Sequence, residues 1–298
     1  MAIKKKRPQR SLAHGRPPTT QKATSISRKS TKALINSLHL LEKKKSQAVA
    51  KGDRSAEAAI NSEIAALGGI EKYQQASLQG QRNDRGGDSS RQLMEWMRPL
   101  FTAAGLPGGA SIRMLEVGAL STKNECSRSG LFDVERIDLN SQGQGILQQD
   151  FMERPLPNND NELFDIISLS LVLNFVPDAR GRGDMLLRTL DFLKAPRRNT
   201  EASSELQNLF PSLFMVLPAP CITNSRYMDE KHLLKIMTAL GYEKVHHKVT
   251  QRLVYYLWTR KSPLSKELLP SRKIELRSGS LRNNFSVIFR RSSGQGTR

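Results

Sequence analysis

The sequence predicts an α/β protein with a Rossmann-like sheet and a helical extension in front of it. Short apolar runs alternate with amphipathic helical segments between residues 112 and 258. That alternation is typical of a parallel sheet covered on both faces. An acid and a glycine end the first predicted strand, and a second acid ends the next one. The order of these elements therefore predicts an open sheet with a ligand crevice along one edge.

The predicted strands are apolar runs that end at polar residues or turns. They lie at 111–117, 135–140, 145–151, the first half of 163–177, 212–218, 249–258 and 284–289. The second half of 163–177 is expected to be a loop or helix start, closed by Pro177. Helical spacing over 183–193 and 229–240 supplies the crossovers that parallel strands need.

Composition divides the chain into four parts. Residues 1–30 are basic and almost free of apolar side chains, which predicts a disordered tail. Residues 31–92 predict a helical hairpin, broken at Gly52, followed by a polar linker. Residues 93–260 form the predicted α/β domain. Residues 261–298 form a basic C-terminal segment that contains the last predicted strand.

The excess positive charge lies outside the α/β domain. Residues 1–92 hold 19 Lys and Arg against 7 Asp and Glu, and residues 259–298 hold 10 against 2. The stretch between them is almost neutral, with 18 against 19. This separation favours basic arms that bind a polyanion, because neutralising phosphates releases counterions. A solvated tail without a partner is the alternative.

The ends of the first two strands predict a nucleoside ligand. Gly118 allows close approach to the backbone, and Asp138 can accept hydrogen bonds from both hydroxyls of a ribose. Glu116 completes an acid-x-glycine turn. A dinucleotide fingerprint is absent, because Gly118 is followed by Ala119 and Leu120, and no nucleoside-triphosphate loop is present. The turn looks like the first motif of class I S-adenosylmethionine (SAM) methyltransferases, although a plain tight turn is the alternative.

The third strand adds two further candidates. Asp150 can accept a hydrogen bond from an exocyclic amine, and Phe151 offers a flat apolar surface for a purine. Either acid could instead be a cap at a strand-to-helix turn, and Phe151 could belong to the core. Two acids ending consecutive strands behind the Gly118 turn favour the ligand interpretation.

Several segments together resemble one family, the nucleolar adenine-N1 methyltransferases of fungal large-subunit (25S) ribosomal RNA. The resemblance covers residues 66–260 and the strand near 283–285, and it is carried by residues 68–80, 91–96, 115–118, 137–140, 150–151 and 168–177. It implies that residues 93–260 have the fold of a class I SAM-dependent methyltransferase. It also implies that Gly118 and Asp138 contact SAM. Leu120 departs from the glycine that is commoner at that turn.

The resemblance also implies alternatives for the activity. An animal relative of the family is a SAM sensor that controls protein partners, and the SAM pocket alone does not distinguish an enzyme from a sensor. The basic flanks favour the RNA methyltransferase, since a sensor has no need of them. A methyltransferase acting on protein or small molecules would leave these flanks without a role.

The loop after the fourth strand is where the target base is expected. Adenine N1 carries an outward lone pair, so the transfer needs an exposed and aligned base rather than a general base. Ser170, Asn174 and Phe175 are the candidates: Asn174 would accept from the N6 amine and Phe175 would stack on the base. The alternative is that Asn174 is a cap and Phe175 is core. Arg180 and Arg182 follow, either as phosphate contacts or in a solvated loop.

Other site and location signals are weaker. No metal site is expected, since the histidines do not cluster with carboxylates and the two cysteines are far apart. No apolar stretch is long enough to cross a bilayer. The run Lys4-Lys5-Lys6-Arg7 fits a nuclear or nucleolar address. The oligomeric state has no signal in the sequence.

Overall fold

A computed structural model of the protein describes residues 28–69, 87–104, 112–141, 143–196 and 205–290. They form a seven-stranded sheet with helices on both faces, preceded by a helical hairpin. The predicted tail, 1–30, lies outside the described residues except for its last three, which begin the first helix. Within the described ranges, no helix is long and apolar enough to span a membrane.

The helices are α1 (Arg28–Lys51), α2 (Arg54–Ala66), α3 (Ser90–Ala103), α4 (Glu125–Arg128), α5 (Ala179–Phe192), α6 (Glu205–Leu209), α7 (Pro220–Thr223) and α8 (Glu230–Ala239). The strands are β1 (Ile112–Val117), β2 (Phe132–Asp138), β3 (Leu147–Gln148), β4 (Ile166–Ser170), β5 (Ser212–Pro218), β6 (Tyr242–Val249) and β7 (Leu253–Arg260). Two short 3₁₀ turns lie at Asp160–Glu162 and Lys266–Leu268.

The strand order is β3-β2-β1-β4-β5-β7-β6. The chain first builds outward from β1 to β3 and then returns to the other side of β1 with β4, so the order reverses between β1 and β4. The expectation of a wholly parallel sheet is wrong at β7, which runs antiparallel to both β5 and β6. The cause is a tight hairpin, closed by the Thr250 amide donating to the Leu253 carbonyl at 2.8 Å, which reverses the chain between β6 and β7.

Both faces of the sheet are covered, as predicted. Along β7, Tyr255 and Leu257 pack into the cluster that includes α3, while Tyr256 and Trp258 pack into the cluster that includes α5 and α8. This alternation follows from the two-residue period of a strand. Burial on both faces places the binding capacity of the domain at the strand ends and leaves none on the sheet faces.

The helical hairpin consists of α1 and α2. Gly52 adopts a φ of +70° and separates α1 from α2, as expected from the sequence. Asp53 then caps α2, its side chain accepting from the Ala56 amide at 3.0 Å. The linker that follows is described only from residue 87, so most of the distinctive segment 68–80 lies outside the described residues.

The C-terminal segment, residues 261–290, crosses the helices, and the strand predicted over 284–289 does not form. Phe285, Val287 and Phe289 are buried with the expected alternation. The backbone amides of this stretch, however, do not pair with a strand. The Ile288 amide donates to the Ala179 carbonyl, and the Phe289 amide donates to the Pro270 carbonyl. The segment passes so close to α5 that a Cβ added to Gly183 would lie 2.1 Å from the Ile288 carbonyl oxygen. Its apolar side chains therefore pack on α5, away from any free sheet edge.

Arg277 fastens this segment to the loop after β5. Its guanidinium donates to four backbone carbonyls within 3.0 Å, those of Ile222, Thr223, Ser225 and Met228. Several of these carbonyls belong to α7 or to the turn after it, where no helical partner is available. Part of the basic charge that the sequence assigns to polyanion binding is thus used to hold the fold together.

Candidate functional site

The centre of the site is the turn at Gly118, where the strand order reverses. Val117 is paired with Ile137 of β2 on one side and with Leu169 of β4 on the other. The Gly118 amide donates to the Ile137 carbonyl at 2.8 Å, and its φ is +73°. A Cβ at Gly118 would lie 2.7 Å from Cγ2 of Val172. Only glycine fits this turn, because a side chain at this φ would be strained and would collide with Val172.

The residue that follows β4 also has a left-handed backbone conformation. Leu171, directly after β4, has a φ of +58°, and it is the one non-glycine residue of positive φ among those described. Its amide donates to the Val216 carbonyl of β5 at 2.9 Å, which holds the backbone there. A left-handed leucine costs about 1–2 kcal/mol. Such strain is concentrated at functional sites, and here it directs the chain so that Val172 lies against Gly118.

Asp138 lies beside this turn, at the end of β2. Val117 and Ile137 are in register, so Gly118 and Asp138 are the next residues on neighbouring strands. The Asp138 carboxylate accepts from the Asn140 amide at 2.9 Å, and its backbone carbonyl accepts from Gln149 at 2.9 Å. These bonds fix the side chain at the same sheet edge as the glycine, which is the arrangement that a ribose requires.

Glu116 is held on the other side of the turn by an asparagine that sequence reasoning missed. The Asn124 amide nitrogen donates to both Glu116 oxygens, at 2.7 and 2.9 Å. Asn124 also caps α4, accepting from the Ser127 amide. Burial raises the pKa of Glu116 to about 7, and the hydrogen bond from Asn124 and the charge of Arg136 only partly oppose this. Its charge therefore changes near neutral pH.

The two candidates after the third strand differ in exposure. Asp150 is exposed, and one carboxylate oxygen accepts from the Met152 amide at 2.7 Å, as a turn cap does. Phe151 was predicted as a purine surface, and this is wrong for its ring. The ring is 2% exposed and packs 5.4 Å from that of Phe192 in the core. Arg188 holds the same residue in place by donating to its carbonyl at 2.7 Å.

The last residues of the linker reach into the site. The hydroxyls of Ser89 and Ser170 lie 2.7 Å apart, across 81 residues of sequence. Asp88 accepts from the amides of Ser90 and Glu125, at 2.9 and 2.6 Å. Ser170 therefore anchors the linker at the end of β4, and no contact favours it as a base-binding residue. Ser89 and Ser90 indicate a helix start in the sequence, but no pattern there predicts that Ser89 contacts Ser170.

Asn174 has one buried side-chain atom without a partner in the described part of the chain. Its side-chain oxygen Oδ1 is buried and accepts no hydrogen bond from the described part of the chain. An unsatisfied buried acceptor costs about 1–3 kcal/mol, so a donor from a bound molecule would be strongly favoured there. Phe175 is partly buried in the same loop, its amide donating to the Val172 carbonyl at 2.9 Å. The described residues contain no cluster of three or more His, Cys, Asp or Glu suited to a metal ion.

The strand order with its reversed seventh strand, and the acid-x-glycine turn at the switch point, define a class I SAM-dependent methyltransferase. The chain belongs to the Bmt2 family. The family model described as "25S rRNA (adenine(2142)-N(1))-methyltransferase, Bmt2" matches residues 58–287, which confirms the resemblance found in the sequence.

Two relatives are similar to this chain in sequence. The 25S rRNA (adenine(2142)-N(1))-methyltransferase of Saccharomyces cerevisiae is 39% identical over 231 residues, which are 77% of this chain and 63% of the relative. The 25S rRNA adenine-N(1) methyltransferase of Schizosaccharomyces pombe is 40% identical over 258 residues, 85% and 89% of the two chains. The N-methyltransferase NodS of Bradyrhizobium japonicum, solved with S-adenosylhomocysteine, is 15% identical with a TM-score of 0.36, covering 58% and 87%.

The residues at the switch point fit SAM. Gly118 forms the tight turn at the switch point, and Asp138 lies next to it with a carboxylate for the ribose hydroxyls. Asp150 has an oxygen, Oδ2, without a partner among the described residues, and this oxygen can accept from the adenine amine. The three residues follow β1, β2 and β3 in turn, as the successive parts of one SAM molecule would require.

Replacing Asp138 tests this fit. We expect Asp138→Ala to weaken SAM binding about 10- to 150-fold, because hydrogen bonds to a charged group contribute about 1.5–3 kcal/mol. Asp138→Asn should lie in between, since an amide oxygen still accepts. Isothermal titration with SAM measures both. Unchanged affinity in Asp138→Ala would remove the ribose contact from the site.

The raised pKa of Glu116 predicts a pH dependence of SAM binding. SAM is cationic, so its binding favours the ionised carboxylate, and below pH 7 a proton must first leave. We expect the dissociation constant to rise as pH falls from 8 to 6, approaching roughly tenfold per unit below the pKa.

The stability of the ligand-free protein depends on pH in the opposite direction. The folded state binds this proton more tightly than the unfolded state, so the free energy of unfolding falls as pH rises from the ordinary carboxyl pKa of 4.5 to the raised pKa of about 7.

Titration calorimetry across that range measures the effect, and Glu116→Gln is the matched control. The variant should bind SAM with a flat pH profile. A wild-type profile that is equally flat would show that Glu116 does not sense the ligand.

Proposed function

We propose that this protein transfers the methyl group of SAM to N1 of an adenine in large-subunit (25S) ribosomal RNA. The observation that carries the proposal is one sheet edge that holds both a nucleoside crevice, at Gly118 and Asp138, and the unpartnered amide oxygen of Asn174. The names of both yeast relatives and of the matching family support the substrate.

The proposed reaction requires little covalent chemistry from the protein. SAM supplies an electrophilic methyl group, and N1 of neutral adenine has an in-plane lone pair, so no general base has to remove a proton first. The chain must hold the base out of its pairing partner and align it. Asn174 is suited to this, because the adenine N6 amine donates and its Oδ1 has no other donor among the described residues. Phe175, in the same loop, is the candidate for stacking on the base.

The alternative, a SAM sensor without methyl transfer, needs the same crevice. What favours the enzyme is the basic surface outside the cofactor site: the flanks carry 29 Lys and Arg against 9 Asp and Glu. Arg277 uses its charge within the fold, but Lys43 and Lys273 remain exposed. A sensor that acts through protein partners gives no reason for this excess.

The proposed place of action is the nucleus, and within it the nucleolus, in ribosome biogenesis. The basic run Lys4-Lys5-Lys6-Arg7 supports this as an import signal. Those residues lie outside the described ranges, so the proposal rests on the sequence and on the proposed substrate.

The decisive experiment offers methyl-labelled SAM and unmodified 25S rRNA to the full chain. We expect label in the RNA and a primer-extension stop at a single adenine, because an N1 methyl group blocks the Watson–Crick edge. Asp138→Ala should lose both signals. Intact SAM binding without labelled RNA would contradict the methyltransferase and favour the sensor.

A further inference from the structure

The C-terminal segment forms a short loop, residues 276–283, against the turn that follows β5 and α7. Both ends of this loop are bonded to that turn. The Leu276 amide donates to the Arg226 carbonyl at 2.7 Å, and the Arg226 amide donates to the Asn283 carbonyl at 3.0 Å. The Asn283 amide in turn donates to the Asn224 carbonyl at 3.0 Å. The 276–283 loop is therefore held in a defined position.

Arg182 connects this region to the loop after β4, where the target base is proposed to bind. Its guanidinium donates to the Ser286 carbonyl at 2.9 Å and to the Pro177 carbonyl at 3.5 Å. The residue before Ser286 accepts, through its carbonyl, from the Ser225 hydroxyl at 2.6 Å. β4 and β5 are parallel neighbours, so both loops follow strand ends at the same edge of the sheet. Direct contacts thus join the 276–283 loop to the substrate side of the site.

Leu281 lies at the tip of this loop and is 94% exposed, the highest value among the exposed large apolar side chains of the described residues. The Arg282 amide donates to the Gly279 carbonyl at 3.3 Å, which puts Leu281 at the third position of a β-turn. Small and polar residues are favoured in such turns. Neither the turn nor packing within the described chain therefore requires a leucine there. A lone exposed leucine is common on protein surfaces, so the charges around it decide its role.

Two guanidinium groups flank Leu281. Arg226 Nε donates to the Gly279 carbonyl at 3.0 Å, and Arg282 Nε donates to the neighbouring Ser278 carbonyl at 2.8 Å. These bonds hold both side chains beside the tip of the loop. The terminal nitrogens of Arg226 have no partner among the described residues, and those of Arg282 have only a neutral amide oxygen at 3.3 Å. Most of the donors of both groups are free to bind a ligand.

Both arginines belong to stretches of chain without acids. Residues 219–228 and 276–290 together contain four Arg and no Asp or Glu. Asp229 and Glu275 border these stretches, and neither forms an ion pair with any side chain that the structure describes. Phosphate is a suitable ligand, because a guanidinium forms paired, charge-assisted hydrogen bonds with it. Since the proposed substrate is an RNA bound at the same sheet edge, its backbone is the source of phosphate that the geometry favours.

We propose that the 276–283 loop binds the substrate RNA, with Arg226 and Arg282 contacting backbone phosphates and Leu281 packing against an unpaired base. The inference rests on the proposed function, because it takes the ligand to be the same RNA. Exposing N1 of the adenine opens its base pair and disturbs the stacking around it. Apolar side chains such as leucine can insert against bases that are unstacked in this way.

Fluorescence anisotropy of the full chain with a 25S rRNA fragment, at several salt concentrations, tests the phosphate contacts. We expect Arg226→Gln and Arg282→Gln each to weaken binding about three- to ten-fold. Each should also reduce the slope of log affinity against log salt by about 0.7–0.9, because one phosphate contact is lost. Glutamine removes the charge but keeps an amide that can donate to the loop carbonyl, so the loop itself should stay in place.

The same measurement tests the apolar contact. Leu281→Ala should weaken binding roughly five-fold or more with the slope unchanged, because burial of apolar surface releases no counterions. Leu281→Met should keep the affinity, since methionine is apolar and of similar size.

The matched controls lie at the opposite edge of the sheet. Leu268 is 67% exposed in the same C-terminal segment. Its amide donates to the Ser265 carbonyl, and the Ser265 amide donates to the Ala239 carbonyl before β6 begins. Leu268→Ala should leave the affinity unchanged. Lys266→Gln, in the same turn, controls for the loss of a positive charge and should change affinity and slope far less than the arginine variants do.

Three results would overturn the inference. The first is an unchanged salt slope in both Arg226→Gln and Arg282→Gln. The second is an equal effect of Lys266→Gln. The third is wild-type RNA affinity in Leu281→Ala, because that leucine would then face a protein partner or solvent.

The two proposals fail differently. If the wild type methylates and binds the RNA but the loop variants bind it equally well, only the inference is wrong. If the wild type neither methylates nor binds the RNA, the proposed function fails, and the inference fails with it. SAM titration and thermal unfolding of each variant check that the cofactor crevice and the fold are intact.

Discussion

Gly118→Val is expected to lower SAM affinity by about a hundredfold or more while leaving the sheet folded. Valine at a φ of +73° is strained by about 1–2 kcal/mol or more, and its Cβ meets Val172 at 2.7 Å. Val172 is β-branched and has few rotamers with which to move away. The turn at residue 118 must therefore shift. SAM binding would have to return it to the original conformation, and the free energy that this takes lowers the affinity. Titration calorimetry with SAM, with circular dichroism as a check of folding, measures the result.

A pair of milder variants separates the two causes. Gly118→Ala should weaken SAM binding at least about tenfold, and adding Val172→Ala should recover only the part that arises from the contact. The cost of the left-handed backbone remains, since it depends on residue 118 alone. Val172→Ala by itself should bind SAM nearly as well as the wild type. Normal affinity in Gly118→Ala would show that the glycine serves only the turn.

Asn174→Leu is expected to raise stability and to reduce methyl transfer. Leucine has a similar shape and removes the buried acceptor that has no partner among the described residues, so unfolding should become more difficult by about 1 kcal/mol. The same change removes the group that would hold the adenine N6 amine. A loss of roughly 10²-fold in kcat follows, if positioning of the base governs the rate. Thermal unfolding and single-turnover labelling of rRNA measure the two effects.

A rise in stability together with a fall in kcat is the informative outcome, because replacing a residue that is needed for folding would lower both stability and kcat. Ser212 provides the control. Its hydroxyl is likewise buried without a partner among the described residues, but it lies at the start of β5, on the edge away from the site. Ser212→Ala should stabilise the protein and leave kcat unchanged. If Asn174→Leu destabilises the protein and kcat is normal, Asn174 has only a structural role.

The placement of Gly118 beside Asp138 was predictable because its signals are local. A buried strand that ends in acid-x-glycine is visible within a few residues, and Gly118 and Asp138 lie side by side as the strand pattern predicted. Phe151 shows the limit of this reasoning. An aromatic residue after a strand-ending acid can face the crevice or the helix behind it, and only the packing against Phe192 decides between them.

The substrate half depends on contacts that composition does not reveal. The Ser89–Ser170 hydrogen bond joins residues 81 apart, and the positive φ of Leu171 has no local sequence signal. The basic C-terminal segment was interpreted as a polyanion arm, yet Arg277 is bound to four backbone carbonyls. Carbonyl groups are present at every residue, so no pattern of side chains predicts which of them an arginine will meet.

The contacts of Arg277 with four carbonyls also bear on the order in which parts of the chain fold during synthesis. Ile222 and Arg277 are separated by 55 residues, so the loop after β5 leaves the ribosome well before its anchor does. Domains form progressively during synthesis, at about 5–20 residues per second. A nascent chain can therefore complete the cofactor crevice while the loop that carries Tyr227 still lacks its fastening. A product that stops short of Arg277 would lack the side chain that holds this loop in place.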